Sequence, residues 1–216
     1  MYILDDPDED YELPTGNYDI PLILASKQYN STSGAVLAPI NAGDTIEVNG
    51  QLWPYLDVEP RKYRFRILNG AATRTFQLQL YVGNTTTGAV AFQVVASDSG
   101  YMTGPVSTTL LTMSMGERYE IIVDFADYAG QTLKLRNADS LTSDTLGQIM
   151  QFTVGTTVSD DTNNGDVPSS LRNITFLEQP SNSSKTFIFA NTAYVASHDF
   201  ENKTTNPFQW CLHYQR

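Results

Sequence analysis

Residues 43–69 read GDTIEVNGQLWPYLDVEPRKYRFRILN, and this stretch decides the fold class of the chain. It holds two runs in which apolar and polar residues alternate, residues 45–48 and residues 62–68. Because side chains of a β-strand point alternately to opposite faces, this period of two predicts two half-buried strands. Asn49 and Gly50 follow the first run, and both residue types tolerate the positive φ that a tight turn requires.

Similar alternation recurs on both sides of this stretch. Further strands are predicted at residues 18–24, 76–80, 91–96, 106–115, 118–124, 132–136 and 148–154. Short strands at spacings of about ten residues, with almost no helical periodicity, predict an all-β protein, a Greek-key β-sandwich or barrel. Proline has no N–H to donate to a sheet. Pro21 therefore indicates an edge strand or a bulge, and residues 53–56, which contain Pro54, are predicted to lie across a surface without pairing.

Two stretches resemble a known family. Val48-Asn49-Gly50, Trp53-Pro54-Tyr55 and residues 58–69, together with residues 116–125 (GERYEIIVDF), are similar to the middle domain of the multicopper oxidases. The bilirubin oxidase and spore-coat laccase branch is the most similar. The resemblance implies a cupredoxin-like (plastocyanin-like) Greek-key sandwich for residues 18–155.

The same resemblance places irregular segments before and after the sandwich. Residues 1–17 are acidic and contain proline, which predicts a linker. Residues 156–185 are predicted to be a second linker because their hydrophobicity is low. Residues 186–216 are interpreted as the remnant of a third domain or a disordered tail. The family would continue into copper-binding loops that residues 190–216 do not contain, so a truncated chain is expected.

The resemblance implies an oxidoreductase that oxidises phenols or tetrapyrroles and reduces O₂ at copper. In the family, H-x-H and H-C-H motifs outside the middle domain hold the copper ions, and this sequence has no H-x-H. No catalytic or cofactor-binding residue and no bound cofactor is therefore expected in this chain. His198, Cys211 and His213 have the composition of a blue-copper site. Their spacing does not fit one, and no strand pattern fixes them, so they are interpreted as incidental.

Three functions follow from the resemblance. The first is a copper-free middle domain that is inactive alone, holds its neighbours apart and lends a wall to the substrate pocket. The second is a non-catalytic scaffold or partner-binding module, and the third is a copper enzyme that uses the tail residues. The expected partners are other cupredoxin domains, a full-length oxidase or a second copy of the chain. Trp53, Tyr55 and Met113 are interpreted either as contacts for such partners or as core residues.

Composition limits the remaining possibilities. A net charge of −11 over 216 residues argues against binding to nucleic acid or to an anionic membrane. No stretch approaches the roughly 18 apolar residues of a membrane span. A single cysteine cannot form a disulfide within the chain. Five Asn-x-Ser/Thr sequons suggest a secreted glycoprotein, at Asn30, Asn84, Asn173, Asn182 and Asn202, and the family resemblance implies a fungal-type protein. Residues 1–6 are not a signal peptide, so the localisation is left open.

Charged residues within the organising stretch have structural interpretations. The basic cluster Arg61, Lys62, Arg64 and Arg66 is predicted to form ion pairs inside the sandwich or across a domain interface. Asp57 and Glu59 lie between two prolines and are predicted to occupy a solvated turn.

Overall fold

The structure is a computed structural model that describes residues 12–37, 43–98, 100–173, 187–190 and 211–214. The chain divides into two compact units, Met1–Ile174 and Thr175–Arg216. In the described part of the first unit, the strands form two sheets packed face to face. The described residues of the second unit form one antiparallel strand pair.

Most strands of the first unit agree with the alternating runs of the sequence, but the run predicted at residues 106–115 is divided between two strands of different sheets. The strands of this unit are β1 (Asp19–Lys27), β2 (Thr45–Val48), β3 (Gln51–Leu52), β4 (Tyr55–Val58), β5 (Lys62–Asn69), β6 (Phe76–Val82), β7 (Phe92–Ser97), β8 (Gly100–Thr108), β9 (Leu111–Met113), β10 (Arg118–Asp124), β11 (Thr132–Asn137) and β12 (Gln148–Val154). Three short 3-10 turns lie at Gly16–Tyr18, Ala126–Tyr128 and Ala138–Ser140. In the second unit, β13 (Phe187–Ala190) pairs with β14 (Cys211–Tyr214).

The strand order confirms the predicted all-β sandwich. The seven-stranded sheet has the order β3-β2-β1-β5-β10-β7-β8, and the five-stranded sheet has the order β4-β12-β11-β6-β9. β1 is parallel to β5, and β4 is parallel to β12, whereas the other pairs are antiparallel. Some neighbouring strands, such as β1 and β5, are distant in sequence. The connections between such strands are the crossovers of a Greek-key arrangement.

An aromatic cluster joins the two sheets at the centre of the core. The rings of Phe65 on β5 and Phe152 on β12 lie 5.2 Å apart, centroid to centroid, and Phe125 lies 5.2 Å from Phe152. Tyr63 stacks beside Phe65 at 6.1 Å. All four rings are buried. Burial of a large apolar side chain contributes about 1.5–3 kcal/mol, so this cluster is a major source of stability.

The predicted turn at Asn49 and Gly50 joins β2 to β3, with φ of 52° and 80°. The Asn49 side chain also extends the sheet: its Oδ1 accepts the N–H of Ile23 at 2.8 Å, and its Nδ2 donates to the carbonyl of Pro21 at 2.9 Å. β2 itself pairs only with the second half of β1, residues 24–27. The amide of Asn49 therefore takes the place of a strand beside Pro21, and β1 is not an edge strand.

The prediction for residues 53–56 is wrong. Tyr55–Val58 forms β4, which pairs in parallel with β12. Pro54 precedes the strand, where its missing N–H has no consequence, and its carbonyl accepts the N–H of Gln151 at 2.9 Å. Asp57 accordingly lies on a strand and not in a turn.

Candidate functional site

The outward side of the seven-stranded sheet carries a network of ion pairs. Glu120 on β10 lies between two arginines of β5: its Oε2 accepts from Arg64 Nε at 2.8 Å, and its Oε1 accepts from Arg66 Nη1 at 3.3 Å. Arg66 Nη2 also donates to Asp19 Oδ2 at 2.7 Å. Together with the Lys62–Asp124 pair at 3.2 Å, these contacts confirm the prediction of ion pairs within the domain for three of the four basic residues, and Arg61 is the exception. They come from the basic cluster of the organising stretch.

The network keeps its arginines charged despite burial. Burial alone would lower the pKa of the Arg64 guanidinium, but the neighbouring Glu120 carboxylate and Tyr101 hydroxyl more than offset this, so its pKa is raised. The Tyr101 hydroxyl is also a direct hydrogen-bond partner of Arg64. The arrangement is a neutralised, structural set of charges and not an open ionic site.

Residues 159–171, here called the strap, pack across this same side of the sheet. Arg61 is fully buried and donates from Nη2 to the Thr162 carbonyl at 2.6 Å and from Nη1 to the Asp160 carbonyl. Its Cζ lies 3.5 Å from the centre of the Tyr18 ring. A segment whose composition is that of a linker is thus fixed by main-chain contacts to one arginine.

Further contacts secure both ends of the strap. The Glu59 carboxylate accepts from the Ser159 N–H at 2.8 Å and from the Ser159 hydroxyl at 2.5 Å, and these bonds lower the pKa of Glu59. At the other end, Leu171 is fully buried, and its N–H donates to the Thr103 carbonyl at 3.0 Å. Leu171 packs with the outward-facing residues Leu13, Val95 and Ile122.

A cleft of about 420 Å³ lies between the strap and the sheet. Its charged lining is Lys62, Asp124 and Asp166, and Lys62 already pairs with Asp124. The cleft therefore offers little unbalanced charge to a ligand.

The outward side of the five-stranded sheet, here called the open face, is different. Lys134 and Arg136 alternate with core residues on β11. Lys134 Nζ donates to Asn84 Oδ1 at 2.7 Å, and Arg136 Nη2 donates to the Leu141 carbonyl at 2.7 Å. The Nε of Arg136 is buried and has no hydrogen-bond partner. A small cleft of about 60 Å³ here is lined by Trp53, Lys134, Leu135, Arg136, Gln148, Met150 and Gln151.

The three residues predicted as either partner contacts or core divide between these roles. Tyr55 is 73% exposed and Trp53 is 37% exposed, on and just before β4 at the rim of the open face. Met113 is fully buried in the core, so its interpretation as a partner contact is corrected. The position of Met113 on β9, opposite Phe76 of β6, explains its burial.

Of the five sequons, Asn84 and Asn173 are exposed and Asn30 is half-buried. The Asn30 side-chain oxygen accepts from the N–H groups of Thr32 and Ser33, both at 2.9 Å, in a local turn. Asn182 and Asn202 lie outside the described residues.

Copper-oxidase sites use imidazole and thiolate donors. His198 lies outside the described residues, and Cys211 and His213 lie on β14, where they pair with Ala190 and Ile188. Among the residues with described side chains, no three His, Cys, Asp or Glu groups converge. The donor set of the sandwich does not fit copper. Within the described part of the chain, no helix is long and apolar enough for a membrane span.

Comparisons with known proteins agree with this architecture. The sequence profile of the multicopper oxidases matches residues 19–151. The chain is 41% identical to bilirubin oxidase of Albifimbria verrucaria over 210 residues, 89% of this chain and 36% of that protein. It is 36% identical to a laccase of Bacillus subtilis, over 71% of this chain and 33% of that one.

Solved structures match as well. The McoA multicopper oxidase of Aquifex aeolicus superposes with a TM-score of 0.67 at 30% identity, over 83% of this chain and 40% of that chain. The sandwich is therefore cupredoxin-like. The chain spans about a third of the length of the curated relatives cited here.

Proposed function

This chain belongs to the multicopper oxidase family, and on that premise we propose that its sandwich is the copper-free middle cupredoxin domain of a bilirubin oxidase-like or laccase-like oxidoreductase. The family oxidises its substrates at copper and reduces O₂. In this proposal residues 19–154 supply none of that electron transfer and are inactive alone. They act as a rigid spacer between domains that carry the copper ions.

One observation carries the proposal. The arginines of residues 61–66 hold parts of this domain together. Arg61 binds the strap, and Arg64 and Arg66 both bind Glu120. Catalysis across domains needs ligands held within tight tolerances, and a spacer must therefore be stiff. A domain closed by internal ion pairs and a fixed strap has that property.

A domain exchange tests the spacer role. We would replace the aligned segment of Albifimbria verrucaria bilirubin oxidase with residues 19–154 and measure copper per chain and bilirubin oxidation. The chimera is expected to bind as much copper as its parent and to retain activity. A matched chimera carrying Phe65→Ala, which opens a cavity in the aromatic cluster, should lose activity as the spacer softens.

The isolated chain provides the opposing test. Stoichiometric copper, a blue absorption band or oxidation of a phenolic dye by this chain alone would show that it has its own copper site. That result would support the third function, an enzyme that uses His198, Cys211 and His213, and would overturn the spacer proposal.

The second function, a partner-binding module, is favoured by the exposure of Trp53 and Tyr55. Aromatic residues are enriched at protein interfaces, whereas most large apolar residues of this sandwich are buried. The exposed sequons at Asn84 and Asn173 support a secreted glycoprotein under either function, and the similarity to a bilirubin oxidase of Albifimbria verrucaria supports the fungal type.

A further inference from the structure

Lys134 and Arg136 differ in their partners from the cations on the seven-stranded sheet. On the opposite side of the sandwich, Lys62, Arg64 and Arg66 each bind a carboxylate. Lys134 and Arg136 instead bind an amide oxygen and a main-chain carbonyl, and neither forms an ion pair with a carboxylate of the described residues. Two positive charges therefore remain without a counter-charge on one short stretch of sheet.

Arg136 adds a second, independent sign of a missing ligand. Its Nε–H is buried and has no hydrogen-bond partner; Arg74 shares this property, but the Arg136 side chain also lines a cleft. A buried donor without a partner destabilises the fold, and a bound acceptor would remove that penalty. The cleft beside Arg136 has room for at least a water molecule or a carboxylate group.

The surroundings of this cleft are apolar on one side and rich in amides on the other. Trp53 lines it, and Tyr55, which pairs with Gln151 across β4 and β12, extends the apolar rim. Gln148 faces Arg136 across the β11–β12 pair, and Gln151 faces Lys134. Arginine and aromatic residues are enriched at the centres of protein interfaces, and this cleft combines a guanidinium and amides with exposed aromatic rings.

We propose that the open face is a docking surface for an acidic polypeptide segment whose carboxylate enters the cleft and binds Arg136. An apolar residue next to that carboxylate then lies against Trp53 and Tyr55. Charge complementarity specifies the partner, because two cations without counter-charges attract carboxylates even on a chain of net charge −11. This inference goes beyond the spacer role and does not depend on it.

A polypeptide fits this surface better than a nucleic acid does. Nucleic acids are bound by many lysines and arginines that follow the phosphate backbone. Here two cations lie near Trp53 and Tyr55, with Asp57 exposed on β4 at the edge of the same sheet. One carboxylate next to an apolar side chain satisfies this pattern.

Two matched peptides test the proposal on the full chain. The probe is an N-acetylated, C-amidated peptide of alternating glutamate and leucine, and its control replaces each glutamate with glutamine. NMR titration would follow the Arg136 Nε–H and Trp53 indole N–H signals. The glutamate peptide is expected to shift both signals at low salt and to bind at least about tenfold more tightly than the glutamine peptide.

Variants locate the binding site. R136Q is expected to weaken binding of the glutamate peptide at least about tenfold, since a charge-assisted hydrogen bond is lost. R118Q removes an equally charged but exposed side chain on the other sheet, where Arg118 pairs with Asp98, and should leave binding unchanged. K134Q, at a more peripheral position, should weaken binding less than R136Q and gives a second reading if R136Q does not fold.

The proposal is overturned by equal binding of the two peptides, or by full binding to R136Q and K134Q. A short RNA that shifts the Arg136 signal more strongly than the glutamate peptide would also overturn it, in favour of a polyanion site. Loss of binding in R136Q and K134Q with retention in R118Q supports it. None of these results depends on copper or oxidase activity, so a failure here is distinct from a failure of the spacer proposal.

Discussion

Both outward sides of the sandwich carry cations that alternate with core residues along a strand, but the cations are paired with carboxylates on only one of the two sides. On the seven-stranded sheet, arginines alternate with core residues on β5, and each binds a carboxylate. On the five-stranded sheet, Lys134 and Arg136 alternate with core residues on β11 and bind no described carboxylate. The strap then covers part of the first side, here called the closed face.

The difference arises from distant residues and not from the strands that carry the cations. Asp19 lies 47 positions from Arg66, and Glu120 lies 56 positions from Arg64. The fold therefore determines whether a face is closed, because it determines which carboxylates lie next to the cations of that face. A closed face contributes to stability, and an open face is available for binding.

The largest effect is expected from Arg61→Leu on the closed face. The substitution removes the donors to the Asp160 and Thr162 carbonyls and the stacking on Tyr18. Buried carbonyls without donors should lower the free energy of unfolding by about 3 kcal/mol. Urea denaturation of the full chain measures this, and hydrogen exchange should show faster exchange in the strap. If strap exchange stays unchanged, the strap is held by other contacts.

A smaller loss is expected from Glu120→Gln, which leaves two buried guanidiniums with less counter-charge. Breaking a buried ion pair commonly costs 3–5 kcal/mol, and the partial exposure of these side chains reduces this to about 2 kcal/mol. The matched control is Arg118→Gln, since the exposed Arg118–Asp98 pair should contribute less than about 1 kcal/mol. Equal losses in the two variants would show that the closed face is not specially stabilised.

Acid should loosen the strap before it affects the core. Hydrogen bonds from the Ser159 hydroxyl and N–H hold the pKa of Glu59 below its ordinary 4.5 in the folded protein. A lowered pKa means that this stabilisation is present above pH 4.5 and is lost as the pH falls through the folded value. Asp160, whose pKa the Thr162 N–H and hydroxyl also lower, acts in the same direction.

Limited proteolysis of the strap as a function of pH measures this effect. Cleavage should increase as the pH falls below about 4.5. In Glu59→Gln the strap should already be more accessible at neutral pH and should depend less on acid. Acid sensitivity identical to that of the wild type would assign the transition to another group.

The smallest effect is expected on the open face. Tyr55 is 73% exposed, so Tyr55→Ser should change the free energy of unfolding by less than about 0.5 kcal/mol in urea denaturation. A loss as large as that of Glu120→Gln would mean that Tyr55 stabilises the domain itself, and the contrast between the two faces would fail.

The strands were largely predictable because their signal is local. Alternation placed β2, β10 and β12 at their observed bounds. β4 was missed because Pro54 was interpreted as a break, although a proline just before a strand leaves all of that strand's N–H groups intact. Periodicity alone cannot distinguish a proline that interrupts a strand from a proline that immediately precedes one.

The closed face was predictable in kind but not in extent. The clustering of four basic residues within residues 61–66 indicated internal ion pairs, and three of the four form them, whereas Arg61 binds main-chain carbonyls. The packing of the strap was not indicated, because polar composition favours a linker. Its contacts with Arg61 use main-chain carbonyls, which every sequence has, so the composition of the strap gave no sign of them. The open face was indicated only by the exposed residues Trp53 and Tyr55.

The turn at Asn49 has a chemical consequence for the lifetime of the protein. Asn-Gly is the dipeptide most prone to deamidation, in which the following main-chain nitrogen attacks the side-chain amide. Here that amide is held by Ile23 and Pro21, so the folded chain restrains the attack. Each excursion to the unfolded state removes the restraint, and conversion to aspartate deletes the donor to Pro21. The extent of deamidation at Asn49 is therefore expected to increase with the time that the chain spends unfolded. Loss of the hydrogen bond to Pro21 should in turn make later unfolding easier.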